Sequence, residues 1–159
     1  MPNLSSEIQK VKEALGNARR VFVLTGSGVS AESGVSTFRG GGASTIWRGM
    51  PFEQLSSARM MQTNLPLVWE WFDYRLSVVA GCTPNAGHFA LAKASESSRF
   101  DSFNLVTQNI DGLHLAAGSK DFTELHGNIH QARCLSCGHV QQLSEIPADE
   151  RPPVCPKMF

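Results

Sequence analysis

A glycine-rich turn that directly follows a short apolar stretch is the first feature able to support a chemical site. Residues 26–31, GSGVSA, fit the spacing G-x-G-x-x-A, in which glycines let backbone amides approach the phosphates of a dinucleotide. Residues 21–24, VFVL, predict a buried strand before the turn. A helix that begins behind the glycines would add positive potential. Such turns also occur without a ligand, so the pattern alone leaves that alternative open.

The residues after the turn argue against hydride transfer. A Rossmann dehydrogenase continues through one helix into a second strand, which ends in an acidic residue for the ribose hydroxyls. Residues 34–42, GVSTFRGGG, stand in that place, and no second strand follows promptly. Over residues 26–42 we expect a long ordered loop that contains one helical turn, and loops of that length are usually functional.

Three of the four cysteines, Cys134, Cys137 and Cys155, lie in the last quarter of the chain. Their clustering and the C-x-x-C spacing of the first two favour metal binding over a disulfide framework. Cys82 stands apart from them, and we expect it to be a thiol without a role.

Four sequence blocks, taken together, resemble one known family. Residues 26–39 are similar to the sirtuin signature G-A-G-x-S-x-x-S-G-I-P-x-F-R, and residues 107–114, TQNIDGLH, to its T-Q-N-I-D-x-L-H. His126 and Gly127 resemble the family's catalytic H-G pair, and a paired-cysteine module follows them. The resemblance implies an NAD-dependent protein-lysine deacylase that acts on acyl-lysine proteins and releases nicotinamide and O-acyl-ADP-ribose.

The resemblance also implies a set of NAD contacts. In the family, the acyl oxygen attacks C1′ of the nicotinamide ribose. Asn109 and Asp111 would hold the carboxamide, whose donor and acceptor an amide and a carboxylate can both satisfy, while Gln108 would contact the ribose. The implied NAD-binding residues are Gly26, Ser27, Gly28, Ser30, Ala31, Glu32, Thr37, Phe38, Arg39, Trp47, Gln108, Asn109, Ile110, Asp111 and His126. Without the other blocks, residues 108–111 would simply cap the next helix.

Three of these residues carry specific expectations. Phe38 would shield the reactive ribose face from nicotinamide and water, and Arg39 suits anionic oxygens. His126 would be the general base that takes a proton from a ribose hydroxyl, because the unperturbed pKa of imidazole, about 6.5, lies near working pH. A lone histidine is more often structural, which is our expectation for the remaining ones: His88, His114, His130 and His139.

Residues 69–75, WEWFDYR, resemble the segment in which class III sirtuins place a tyrosine and, three residues later, an arginine that bind succinyl or malonyl carboxylates. Arg75 matches the arginine, but Phe72 stands where the tyrosine is expected, so one hydroxyl donor is lost. Thr37 and Gly40 also suit the class III pattern. The alternative is that Arg75 lies on a solvated helix face.

The sequence differs from the family pattern in its zinc ligands and in how much of the family's length it covers. Structural zinc takes four tetrahedral ligands, but Met158 stands where the fourth cysteine is expected, and a thioether is a poor zinc ligand unless His130, His139 or water completes the site. Ser27 and Ser36 replace the usual Ala and Pro. The sequence stops at Phe159, where the family returns from its zinc ribbon. We therefore expect an incomplete NAD site and little turnover by the isolated chain.

The periodicity of the chain predicts the elements that position these residues. Helices are expected near 4–15, 66–79, from a Thr83-Pro84 cap to about 93, and over 113–117, with further strands at 103–107 and 122–125. Their alternation predicts an α/β fold with an incomplete Rossmann-like parallel sheet and a small zinc-ribbon module. We place the NAD-binding part at 1–128, with a helical insertion at about 43–80, and the incomplete zinc module at 129–159.

Composition excludes several classes of partner. Fourteen basic residues balance fourteen acidic ones, so no field of one sign would attract nucleic acid or anionic lipid. Residues 1–12 lack the apolar run of a signal peptide, and no apolar stretch is long enough to span a bilayer, so a cytoplasmic protein is expected.

The sequence leaves two other hypotheses about function open. The chain could be a non-catalytic remnant that binds NAD or a protein partner, with apolar surface at its sheet edge favouring association. It could also be an NAD hydrolase or ADP-ribosyltransferase of the same superfamily.

Overall fold

A three-stranded parallel sheet forms the centre of the molecule in the computed structural model, which describes residues 4–37 and 46–158. Its order is β1 (Arg20–Thr25), β4 (Ser102–Thr107), β5 (Thr123–Glu124). Thr25 pairs with Thr107, and Thr107 with Glu124, so the carboxyl ends of all three strands meet at one edge. The expected parallel arrangement is confirmed, and the segments after each strand are brought to the same place.

Helices flank this sheet. They are α1 (Leu4–Asn17), a 3-10 helix (Ser27–Ser33), α5 (Ala86–Ser95) and α6 (Leu113–Ala116). The expected cap of α5 at Thr83 and Pro84 is wrong. Asn85 caps the helix instead, because its side chain accepts from the Gly87 N–H while its own N–H donates to His88 Nδ1.

The helical insertion lies between the 3-10 helix and α5. It contains an antiparallel pair, β2 (Ile46–Trp47) and β3 (Met50–Pro51), followed by α2 (Phe52–Leu55), α3 (Ala58–Thr63) and α4 (Leu65–Ala80). Phe52, Leu55 and Trp71 form its core and are each at most 2% exposed. Burying side chains of this size stabilises the insertion by about 1.5–3 kcal/mol each, which holds α4 in a fixed position.

A small module at the C-terminal side packs against α4. It consists of the antiparallel pair β6 (Gln131–Arg133) and β7 (Val140–Gln142) and two 3-10 turns, Leu143–Glu145 and Ala148–Glu150. Arg151, whose side chain is 12% exposed, pairs with Asp73 of α4 at 2.5 Å and donates to the carbonyls of Leu143 and Ile146. This arginine therefore joins the module to the helix that carries Arg75.

One face of β1 and the apolar stripe of α1 are solvent-exposed. Phe22 and Leu24 are 68% and 55% exposed, and Ile8, Val11 and Leu15 of α1 are 42–58% exposed. Parallel sheets are ordinarily covered on both faces, and this exposed surface is a face of the sheet, not the sheet edge at which the sequence predicted association. Within the described parts of the chain, no helix combines the length and apolar character needed to cross a bilayer.

Candidate functional site

The glycine turn leaves β1 in extended conformation at Gly26, and the 3-10 helix follows at once. The helix ends at Gly34, whose φ of 90° belongs to the left-handed region and whose N–H donates to the Ala31 carbonyl. A Cβ added at Gly28 would meet no atom within 4 Å. The backbone of the turn therefore faces open space that a ligand could enter.

A buried polar network ties this turn to the segment after β4. The Ser30 hydroxyl donates to Asp111 Oδ2 at 2.7 Å and accepts from Asn109 Nδ2 at 3.0 Å. Asn109 Nδ2 also donates to the Gly26 carbonyl at 3.1 Å, and Asp111 Oδ1 accepts from the Leu113 N–H at 3.0 Å. These bonds fix the amide and the carboxylate relative to each other.

His88 supports the same network from α5. Its Nδ1 accepts the Asn85 N–H, so the neutral ring carries its proton on Nε2, which lies 3.3 Å from Ser30 Oγ. The serine hydroxyl then accepts from His88 and Asn109 and donates to Asp111. Burial lowers the pKa of His88, although the Asp111 carboxylate opposes that shift.

His114 lies beside His88, with ring centroids 4.9 Å apart. Its Nε2 is 2.9 Å from Thr25 Oγ1 at the end of β1. Burial first, and His88 second, lower the pKa of His114. Both rings are at most 2% exposed. The sequence predicted structural roles for them but missed that His88 orients Ser30; the spacing of Asn85 and His88, which is that of a capping box, was the available signal.

A cleft with a volume of about 1400 Å³ opens at this edge of the sheet. The predicted NAD- and acyl-binding residues that line it are Gly26, Ser27, Gly28, Phe72, Arg75, Gln108, Asn109, Ile110, Asp111 and His126, and the predicted metal ligands Cys134 and Cys155 line it as well. The structure thus brings together the glycine turn, the segment after β4, the imidazole and the residues of α4.

His126 reaches the cleft because it follows the short strand β5 by two residues. The chain then turns at Gly127, whose φ is 76°, a conformation that favours glycine. This explains why a glycine stands beside the histidine. The side chain of His126 is exposed.

The other predicted NAD contacts occupy different positions. Ser30 is fully buried behind the cleft, and Ala31 and Glu32 are exposed on the 3-10 helix. Trp47 packs on the core of the helical insertion and stacks on Tyr74 with ring centroids 6.0 Å apart. Thr37 is half-buried; among the described residues, neither it nor Trp47 lines the cleft. Phe38 and Arg39 lie outside the described residues.

Arg75 enters the cleft from α4 and is half-buried. Its guanidinium carbon lies 5.4 Å from the ring centroid of Phe52. Burial lowers the pKa of Arg75, whereas Asp111 acts in the opposite direction. No salt bridge to Arg75 occurs within the described ranges. Half-burial at the cleft disfavours the alternative of a fully solvated helix face, and the role of Arg75 in acyl binding remains a prediction.

Cys134, Cys137 and Cys155 form a compact sulfur cluster, with all three Sγ atoms within 4.8 Å of one another. The Cys137–Cys155 distance is 3.5 Å, and Cys134 Sγ lies 4.0 Å from Met158 Sδ. Backbone N–H groups of Cys137 and Ser136 lower the pKa of Cys134 to about 7. The Lys157 N–H favours the Cys155 thiolate, but burial and the neighbouring cysteines together raise the pKa of Cys155.

This donor set fits zinc only in part. Three thiolates are suitable ligands, but among the described residues no histidine joins the cluster. The Met158 thioether, which carries no charge, lies beside Cys134. His130 and His139 therefore do not replace the fourth cysteine.

Comparison with known proteins places this arrangement in a family. The Sir2 family profile matches residues 26–158, and the chain therefore belongs to the Sir2 family, the sirtuins. It is 42% identical over 147 residues to NAD-dependent protein deacylase 1 of Caldanaerobacter subterraneus, covering 92% of this chain and 59% of that protein. It is 38% identical over 160 residues to the mitochondrial NAD-dependent protein deacylase sirtuin-5 of Danio rerio, covering 99% and 50%.

Solved structures agree with this assignment. A Sir2 homologue in complex with NAD aligns with a TM-score of 0.80 at 32% identity, covering 94% of this chain and 57% of that one. A Sir2 variant with a deacetylated p53 peptide and 3′-O-acetyl ADP-ribose gives a TM-score of 0.77 at 25% identity, covering 95% and 61%. The Rossmann-like α/β fold is confirmed. The chain spans 49–59% of the length of the curated relatives it matches.

Proposed function

We propose that this chain provides the nicotinamide-binding and acyl-binding parts of an NAD-dependent protein-lysine deacylase. One observation carries the proposal: Asp111, held by Ser30, opens on the same cleft as His126 and Arg75. A carboxylate fixed by a buried hydroxyl suits the recognition of a carboxamide, and an exposed imidazole in the same cleft suits proton transfer.

The cleft residues have separate roles in this proposal. When bound, NAD supplies an electrophilic ribose carbon with nicotinamide as its leaving group. Asp111 and the Asn109 side-chain oxygen accept from the nicotinamide carboxamide, since the Asn109 N–H groups already donate to Gly26 and Ser30, and the open backbone of Gly28 admits the phosphates. His126 accepts a proton from a ribose hydroxyl, which makes that oxygen a nucleophile. Shielding of the ribose by Phe38 remains a prediction, because that residue lies outside the described ranges.

Arg75 supports a preference for acidic acyl groups. A half-buried guanidinium without a salt bridge in the described parts of the chain is suited to a succinyl or malonyl carboxylate. Phe72 offers no hydroxyl to that carboxylate, so we expect weaker discrimination than a tyrosine and arginine together would give. Acetyl-lysine remains a substrate in this proposal, and acylated protein lysines are the partners.

The sulfur cluster supports a structural metal site. A metal held by Cys134, Cys137 and Cys155 would join the turn between β6 and β7 to the segment after Arg151. The family resemblance implies zinc there, and the thioether at Met158 predicts weakened zinc affinity. No step of the acyl-transfer chemistry depends on this site.

The isolated chain is expected to turn over slowly, because catalysis requires every part of the NAD site to be held in register. The test measures nicotinamide release from NAD with acetyl-, succinyl- and malonyl-lysine peptides. It uses this chain and a form joined to the C-terminal half of a Sir2 relative. Release that depends on the acyl peptide supports the proposal. Peptide-independent release would indicate an NAD hydrolase, and no release from either folded form would indicate a non-catalytic protein.

A further inference from the structure

A thioether lies beside the sulfur cluster, in contact with one of its three thiols. Met158 Sδ lies 4.0 Å from Cys134 Sγ, and Cys137 and Cys155 Sγ lie 3.5 Å apart. Two sulfurs that each lie about 2.3 Å from one ion are about 3.8 Å apart in a tetrahedron and about 4.0 Å in a trigonal plane. The three thiols, within 4.8 Å of one another, and the Met158 thioether, 4.0 Å from one of them, are therefore close enough to converge on a single ion after a small adjustment.

The chemistry of these four sulfurs differs from that of four cysteines. Replacing one thiolate by a thioether removes a negative charge and a strong metal–sulfur bond. Zinc affinity falls most from this change, because structural zinc sites use a closed tetrahedral set of four ligands. Soft thiolate and thioether ligands select monovalent copper. Cu(I) also binds stably with fewer ligands than zinc, so three thiolates satisfy it and the thioether adds a weaker bond.

The surroundings of the cluster also favour Cu(I) over zinc. Within the described chain, neither histidine nor carboxylate joins the three cysteines, so no borderline or hard ligand completes a zinc set. Arg133 lines a small cavity together with Cys134 and Cys137.

We propose that Cys134, Cys137, Cys155 and Met158 form a soft-metal site that binds Cu(I) in preference to zinc. The proposal rests on the metal-binding role given to the cluster above, and it does not depend on the deacylase activity. Met158 is the residue that sets the preference.

The test titrates the full chain, stripped of metal and kept anaerobic, with Cu(I) or Zn²⁺ against a chromophoric competitor for each ion. The wild-type chain should bind one equivalent of Cu(I), with thiolate-to-copper charge-transfer absorption. Met158→Cys changes a ligand itself, so it should raise zinc affinity by at least the roughly 10–100-fold that outer-shell partners contribute, and change Cu(I) affinity much less. Met158→Leu should lower Cu(I) affinity, while Cys82→Ser, a change outside the cluster, should alter neither affinity.

Circular dichroism of each variant separates loss of a ligand from loss of the fold. Equal zinc affinities of the wild-type chain and Met158→Cys would overturn the proposal. So would unchanged Cu(I) binding in a folded Cys155→Ser variant. Because these readouts do not involve NAD, they stay interpretable even if the nicotinamide-release assay fails.

Discussion

The Ser30 hydroxyl donates to Asp111 Oδ2 at 2.7 Å across 81 residues of sequence, and this bond joins the glycine turn to the segment that follows β4. Both residues are at most 6% exposed. The hydroxyl is saturated, since it also accepts from Asn109 and lies within hydrogen-bonding distance of His88. Its removal would leave several buried polar groups without a partner.

Ser30→Ala should therefore weaken both the fold and the site. We expect the free energy of unfolding to fall by about 1–3 kcal/mol, the cost of leaving buried donors unpaired. In the extended enzyme, KM for NAD should rise because Asp111 loses its orientation. Ser95→Ala is the matched control, since the half-buried Ser95 hydroxyl donates to the Ala92 carbonyl within α5 and does not line the cleft. Equal effects of the two substitutions in urea unfolding and kinetics would contradict the role of Ser30.

Acid should destabilise the chain through its two buried histidines. The pKa values of His88 and His114 are lowered by burial, so below about 6.5 the unfolded state binds protons that the folded state does not. Their stabilising contribution is complete above that pH. It decreases as the pH falls toward the folded-state pKa values, by at most about 1.4 kcal/mol per pH unit for each ring.

Urea unfolding between pH 7.5 and 5, run as a series, measures this dependence. His88→Gln should reduce the slope of unfolding free energy against pH, whereas His130→Gln, a change at an exposed ring, should leave it unchanged. A slope that is the same in all three proteins would show that the buried rings do not titrate differently on unfolding.

Arg75→Gln should change acyl selectivity more than overall activity. Loss of the guanidinium removes the charge-assisted partner of an acidic acyl group, which is worth about 1.5–3 kcal/mol. The ratio of kcat/KM for succinyl-lysine to that for acetyl-lysine should therefore fall by about tenfold or more. Arg48→Gln serves as control, because Arg48 is exposed and pairs with Glu70. An unchanged ratio would remove Arg75 from the acyl site.

Arg151→Met should loosen the attachment of the metal module to α4. Arg151 is 12% exposed while Asp73 is 36% exposed, so solvent screens the pair in part and we expect a loss of about 1–3 kcal/mol. Asp73→Asn retains a partner for the guanidinium and should cost less. Hydrogen exchange of residues 131–142 should increase in the methionine variant, and protection equal to that of the wild type would contradict this link.

Local patterns in the sequence predicted the three strands of the central sheet, but not the short antiparallel pairs β2–β3 and β6–β7. The apolar runs before the glycine turn and before residues 107–114 predicted β1 and β4 to within one residue, but the predicted burial of β1 is wrong on one face, where Phe22 and Leu24 are exposed. The parallel order also followed, since alternating strands and helices permit few topologies. β5 is shorter than expected and comprises only Thr123–Glu124.

Contacts between distant segments were not predictable in the same way. Both Thr83 and Asn85 are residue types that can cap α5. Asn85 is the cap because it exchanges hydrogen bonds with the first turn of α5 and with His88, which propensity alone does not decide. The contact of His88 with Ser30 spans 58 residues and depends on how α5 packs. The cleft residues were predicted through their motifs, whereas the residues that orient them were not. The roles of the cleft residues, the domain boundary at 128 and a cytoplasmic location remain predictions.

We propose that His126 and the carboxamide-binding residues take part in one reaction in one cleft. The most direct test is formation of O-acyl-ADP-ribose, measured by mass spectrometry, in the extended enzyme and its His126→Ala variant, with His130→Ala as control. We predict that the product is absent only in His126→Ala, because no group remains to deprotonate the ribose hydroxyl. Product formation at the wild-type rate in that variant would contradict the account.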